Sequence, residues 1–132
     1  MDMLCYCASL RAAARKATAF YDATLAPAGL NVAQFALLRR IERAGSPSLT
    51  ELGRLAELDR STVGRNVKVL ERLGLVLMAD AEDQREAAVA LAPAGVEALR
   101  RAAPLWEEAQ LYVEAALGAD GADALRALTN RL

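Results

Sequence analysis

The chain of 132 residues contains no histidine, and its only thiols are Cys5 and Cys7. That removes a Ser-His-Asp triad, a histidine metal site and a closed four-ligand zinc site, so no catalytic residue, metal or cofactor is expected. No long apolar run is present either. The stretch 73–79 falls far short of the roughly 18 residues that cross a bilayer, and the opening Met-Asp-Met-Leu has no basic segment, so no membrane partner and a cytoplasmic location are expected. A dominant charge sign is missing as well. With 16 basic and 17 acidic side chains the net charge is −1, so any nucleic-acid binding must come from local clustering. Aromatic residues make up only 5% of the chain. Alanine and leucine fill the gap, with 30 and 22 positions, which is the composition of a helical protein. The length suits one domain, 1–132, and an apolar content of 55% supplies a core.

Residues 4–25 hold no glycine or proline and read as one long helix that Pro27 and Gly29 end. Two apolar stripes run along it, one with Leu4, Cys7, Ala14, Thr18, Tyr21 and Leu25, the other with Leu10, Ala13, Ala17 and Phe20. Two such faces need two partners, and a second copy of the chain is the economical one. Asn31 with Gln34 resembles a capping box opening a second helix that buries Ala33, Leu37, Ile41 and Ala44 before Gly45. Thr50, with Glu51 after it, is read as the cap of a short third helix with Leu52, Leu55 and Ala56 inward. Asp59 caps a fourth helix from Arg60 to about Leu73. Short helix, tight turn and longer helix make a helix-turn-helix pattern. The period then changes to that of strands at 75–79 and 87–91, a hairpin with the charged tip 80–85. Pro93 opens a fifth helix, which Pro104 is expected to kink or split. A turn follows at 118–121, and Asp120 or Asp123 starts a last helix. The expected fold is mainly α with a small β-hairpin wing: a winged helix-turn-helix over 30–92, flanked by N- and C-terminal dimerisation helices at 1–28 and 93–132.

The fourth helix is the most informative segment. Val63, Val67 and Leu70 form a narrow apolar face, and Lys68, Ser61, Arg72 and Arg65 cluster at about 140° to 200° from it. Between 60 and 72 there are four basic residues, Arg60, Arg65, Lys68 and Arg72, against the single acid Glu71. A helix about 20 Å long with that pole suits a DNA major groove, with Lys68 and Arg72 on phosphates and Ser61, Thr62 and Arg65 near base edges. The competing reading is an ordinary solvated helix face. Arg85 on the hairpin tip adds an independent element, a guanidinium that can enter an adjacent minor groove. Gly64, in mid-helix, either admits DNA close to the backbone or makes room for a neighbouring side chain.

These segments together resemble the MarR family of bacterial transcription regulators. The resemblance spans about 5–132 and rests on Tyr21, Asp22 and Leu25, on Gly29, Leu30, Gln34 and Phe35, and on Leu52 through Ala56. It continues with Asp59 through Val63, with Leu70, Glu71, Leu73, Gly74 and Leu75, and with Asp83, Gln84 and Arg85 ahead of Val89 through Gly95. Where the family usually carries a threonine, this chain has Ala92. The resemblance implies a homodimer whose first and last helices interlock and whose two winged helices read a palindromic operator on double-stranded DNA, usually as a repressor released by a small molecule or an oxidant. It also implies that Arg85 enters the minor groove and that Asp83 orients nearby basic side chains.

Cys7 carries a second, partial resemblance, to the organic-hydroperoxide-sensing branch of the family. Aligned on Gln34, that branch's reactive cysteine falls on Cys7 and one of its partner tyrosines on Tyr21; its other tyrosines fall on Arg11 and Val32, and no cysteine lies near the C-terminus. Cys7 and Tyr21 are about 21 Å apart along one helix, so contact requires the first helix of another subunit. Against redox sensing stands the reading of both cysteines as small buried hydrophobes. A small-molecule effector is expected between the helical base and the winged helix, with Arg15, Tyr21, Phe35 and Trp106 as candidate contacts. Two other classes compete with a DNA-binding regulator. A winged helix acting only as a protein-interaction module needs an apolar pole on the fourth helix, and a thiol peroxidase built on Cys7 has neither histidine nor resolving thiol.

Overall fold

A computed structural model describes residues 4–79 and 87–132 of the chain. The order is α1 (Tyr6–Leu25), a 3₁₀ turn (Ala26–Ala28), α2 (Val32–Ala44), α3 (Leu49–Ala56), α4 (Arg60–Arg72), β1 (Val76–Met78), β2 (Val89–Leu91) and α5 (Pro93–Arg131). The strands pair antiparallel, with Val76 opposite Leu91 and Met78 opposite Val89. The connector before α3 joins their edge, because the Val89 N–H donates to the Pro47 carbonyl at 2.8 Å and Ser48 bridges Ala88. Thus the wing is anchored to the helix-turn-helix by backbone as well as by side chains.

One core holds these elements together. Leu25 and Leu30 meet Phe35, Leu38 and Ile41 of α2, Leu52 of α3, Val63, Val67 and Leu70 of α4, Val76 and Val89 of the wing, and Ala98, Leu99 and Ala102 of α5. Their side chains fall on one face of each helix, the pattern by which amphipathic helices close a single core. On α2 the expected face is corrected. Leu37 and Ile41 are buried, but Ala33 and Ala44 are exposed and Phe35 and Leu38 take their place, because the larger side chains set the rotation of the helix.

Polar side chains fix where the helices begin. Asn31 Oδ1 accepts from the Gln34 N–H at 2.8 Å and Gln34 Oε1 accepts from the Asn31 N–H at 3.0 Å, the reciprocal box the sequence announced. The cap of α3 is Ser48 rather than Thr50: its Oγ accepts from the Glu51 N–H at 3.1 Å, so the helix starts one residue before Thr50. In α3 Leu52 is fully buried, while Leu55 and Ala56 are half-buried.

The long α5 also departs from expectation. Pro104 does not split it; its backbone stays helical there and Pro104 faces solvent, where water can satisfy the carbonyl left without a donor. The break comes at Gly118, whose φ of 74° and ψ of 166° suit a residue without a Cβ. Helix resumes at once, with no turn over 118–121 and no cap from Asp120 or Asp123. At the other end of α5 a different glycine is required by proximity. A Cβ on Gly95 would lie 2.1 Å from the Leu75 carbonyl oxygen, so only glycine lets α5 begin against the first strand of the wing.

Candidate nucleic-acid interface

The turn between α3 and α4 is tight. Glu57 takes a left-handed conformation, φ 55°, and the Leu58 N–H donates to the Gly53 carbonyl at 3.0 Å, which turns the chain sharply into α4. Asp59 then caps α4. Its Oδ1 accepts from the Thr62 backbone N–H at 2.8 Å and from the Ser61 hydroxyl at 2.8 Å. The Thr62 N–H, followed by the Ser61 and Thr62 hydroxyls, lowers the carboxyl pKa of Asp59 to about 2. One turn on, Arg65 Nη2 donates to Thr62 Oγ1 at 3.3 Å.

Val63, Val67 and Leu70 lock the inner face of α4 into the core. The opposite pole is solvent-exposed as expected: Arg60, Ser61, Arg65, Lys68 and Arg72 are exposed and Thr62 is half-buried. Among the described residues none of these four cations pairs with a carboxylate. They stand in contrast to Arg54 and Arg100, each held by a glutamate three residues earlier. Around Gly64, nothing among the described residues lies within 4 Å of where a Cβ would stand, so none of their side chains needs the space. Asp83 and Arg85 lie outside the described residues.

A second feature sits behind α2. A cavity of about 480 Å³ is bounded by Val32, Phe35, Arg39, Arg40, Arg43, Leu55 and Trp106 among others. Phe35 and Trp106 stack with centroids 5.8 Å apart, and the Arg39 guanidinium lies over both rings, 5.6 Å and 4.7 Å from their centroids. Two of the expected contacts, Phe35 and Trp106, are therefore brought together. Arg15 is not among the lining residues and is exposed on α1. Tyr21 is also elsewhere, donating its hydroxyl to Gln110 Oε1 of α5, with its pKa raised by burial. The sequence reading missed the three arginines of α2. Their signal was present: Arg39 and Arg43 lie one and two turns after Phe35, on the same face.

The cysteines are not buried in the chain itself. Cys5 and Cys7 are both exposed and free, Cys5 as the N-terminal flank of α1 and Cys7 in its first turn. Tyr21 lies near the other end of the same helix, as the spacing required.

A short helix, a sharp turn, a helix with one core face and one basic face, and an antiparallel hairpin define a winged helix-turn-helix DNA-binding protein. The MarR family profile matches residues 28–86. Among solved structures, the Mycobacterium tuberculosis transcriptional regulator MosR in complex with DNA is 34% identical, covering 96% of this chain and 92% of that one, with a TM-score of 0.86. A probable transcriptional regulator from Pseudomonas aeruginosa is 29% identical over 96% and 95% of the two chains, TM-score 0.83. Bordetella bronchiseptica BpsR, whose DNA binding is regulated by 6-hydroxynicotinic acid, shares the fold at 23% identity, 96% and 91% coverage and a TM-score of 0.82. Comparison with curated proteins gives no significant match. The chain belongs to the MarR family, DNA-binding transcription regulators rather than enzymes. Among the described residues, no helix is long and apolar enough to cross a membrane.

Proposed function

We propose that the protein is a homodimeric repressor that reads a palindromic operator with α4 in the major groove and is released by a small-molecule or oxidant signal. The observation that carries the reading is the cationic face of α4, where Arg60, Arg65, Lys68 and Arg72 meet no carboxylate among the described residues, on a helix whose other face is locked into the core. Ser61, Thr62 and Arg65 face base edges and Lys68 and Arg72 the flanking phosphates, with Asp83 and Arg85 assigned to the wing. The 34% identity to MosR, a regulator solved on DNA, supports this docking.

Dimerisation by 1–28 and 93–132 is supported by the apolar side chains those segments leave in solvent. Leu4 just ahead of α1, Tyr6 and Leu10 on α1, and Leu111, Tyr112 and Leu125 on α5 are all exposed in the single chain. Release by a ligand is supported by the Phe35, Trp106 and Arg39 cavity, because α2 lines it and also packs against α3 of the helix-turn-helix. Cys7 is the candidate oxidant sensor. Its exposure suits reaction, and an antiparallel pairing of two first helices would carry Tyr21 of a second subunit toward it.

A mobility-shift experiment with the DNA upstream of the protein's own gene tests this reading, at fixed salt, before and after an organic hydroperoxide, with Cys7→Ser in parallel. A retarded complex lost on oxidation only when Cys7 is present makes the protein a thiol-switched repressor. A complex indifferent to oxidant assigns release to the α2 cavity. No complex at all sinks the DNA-binding assignment of α4.

A further inference from the structure

A serine hydroxyl at a DNA interface is ordinarily ambivalent: it can donate to guanine or thymine, or accept from adenine or cytosine. In α4 that ambivalence is removed. Ser61 Oγ lies 2.8 Å from Asp59 Oδ1, and a carboxylate has no proton to give, so the Ser61 hydroxyl must be the donor. Its one proton is spent inside the protein, leaving only lone pairs to face outward. The Thr62 N–H on the same Oδ1 fixes the carboxylate at the helix end, and the Asp59 carboxyl stays ionised down to a pH of about 2. Arg65, one turn further along the same face, gives one N–H to Thr62 Oγ1 and keeps its remaining donors, with no acceptor atom at all.

We infer that Asp59 is a specificity-positioning residue: by holding the Ser61 proton it makes Ser61 an acceptor-only probe, which reads the amino group of an adenine or a cytosine and rejects guanine and thymine. The inference rests on the placement of α4 in the major groove proposed above and specifies what that helix reads. Ser61 and Arg65 are separated by about 5–6 Å along the helix surface, one to two steps of a base stack that rises roughly 3.4 Å per step. The pair therefore reads a two-letter pattern, an amino-bearing base beside a guanine that accepts from the Arg65 fork.

Selection of bound duplexes from a randomised operator pool, followed by competition at fixed salt, tests this with the full-length wild type, Ser61→Ala, Asp59→Gly and Lys68→Ala. In the wild type one position per half-site should favour adenine or cytosine by about three- to tenfold, the scale of one net hydrogen bond. Ser61→Ala should flatten that position alone. Glycine is tolerated at an N-cap and carries no side-chain acceptor, so Asp59→Gly should keep α4 formed and free the hydroxyl, admitting guanine and thymine at the same position. A residue that only caps the helix would instead lower affinity for every duplex evenly and leave the preferences intact. The inference is overturned if the Ser61-dependent position favours guanine or thymine, if Ser61→Ala changes no position, or if Asp59→Gly loses affinity without changing preference. If Lys68→Ala also binds every duplex as the wild type does, the placement of α4 itself has failed, and the assignment of Ser61 with it.

Discussion

Arg65 and Lys68 are both exposed cations on α4, yet the geometry gives them different work. Arg65 sits one turn from the capped end with its fork partly oriented by Thr62, whereas Lys68 lies further along, where a groove-bound helix meets the backbone. Arg65→Ala should relax preference at one position of each half-site at a cost of about 1–3 kcal/mol per position, and Lys68→Ala should weaken all sequences alike and lower the salt slope by about 1 per half-site. Titrations at several salt concentrations separate the two; identical behaviour of both variants would remove the distinction drawn between them. Gly64 gives a sharper residue-scale test. Nothing among the described residues occupies the place of its Cβ, so Gly64→Ala should raise helix stability by about 1 kcal/mol. If the open space serves a close approach of DNA, the same methyl weakens operator binding while the melting temperature rises. A more stable variant with undiminished affinity would leave Gly64 without a role at the interface.

At the scale of elements, the caps explain what was readable in the sequence and what was not. Asn31 and Asp59 each stand alone ahead of an apolar period, so their helices were placed correctly from residue type and spacing. Ahead of α3, Ser48 and Thr50 both qualified chemically, and the choice was made by the pairing of the Ser48 segment with the wing, a long-range contact no local pattern contains. In α5, Pro104 looked like the breaker, but an exposed proline inside a packed helix is tolerated while Gly118 permits a backbone that other residues resist. Two element-scale tests follow from these ends. Gly95→Ala forces a methyl against the Leu75 carbonyl, so α5 must lift from the wing, with an expected loss of about 1–3 kcal/mol in urea denaturation; an unchanged midpoint would mean that contact is easily relieved. Asp59 is depressed from 3.8 to about 2, so its contribution to α4 is present above about pH 4 and is lost as the pH falls toward 2. Asp59→Asn keeps a capping oxygen that does not titrate, so its helical circular dichroism should fall less over that interval than the wild type's. Equal acid loss in both proteins would place the acid-sensitive group elsewhere.

For the molecule as a whole, the apolar stripes of the first helix are only partly covered by the single chain. Only Leu25 of α1 is buried, and Phe20 and Tyr21 engage α5 through a 4.5 Å stack on Tyr112 and a hydrogen bond to Gln110. Both helices carry exposed apolar side chains, Tyr6 at 81% and Leu111 at 69% exposure. This face was legible because its period exceeds what one core can absorb. The α2 arginines of the cavity were legible only in their spacing after Phe35; their second aromatic neighbour, Trp106, comes from a helix some 67 positions later, and only the fold brings it to Arg39. The assembly proposal gives the last test. Replacing Leu111 and Leu125 by glutamate touches side chains already in solvent in the single chain, so each chain should keep its helical content and melting behaviour. The wild type should elute at twice 14.1 kDa and the double variant at 14.1 kDa. A palindrome's half-sites lie about 34–36 Å apart, and binding both at once requires two linked winged helices. Loss of the dimer should therefore roughly halve the salt slope of operator binding, because half as many phosphates are neutralised per binding event. A double variant that remains dimeric would move the interface away from α1 and α5, and a monomeric wild type would leave the two stripes to cover some other partner.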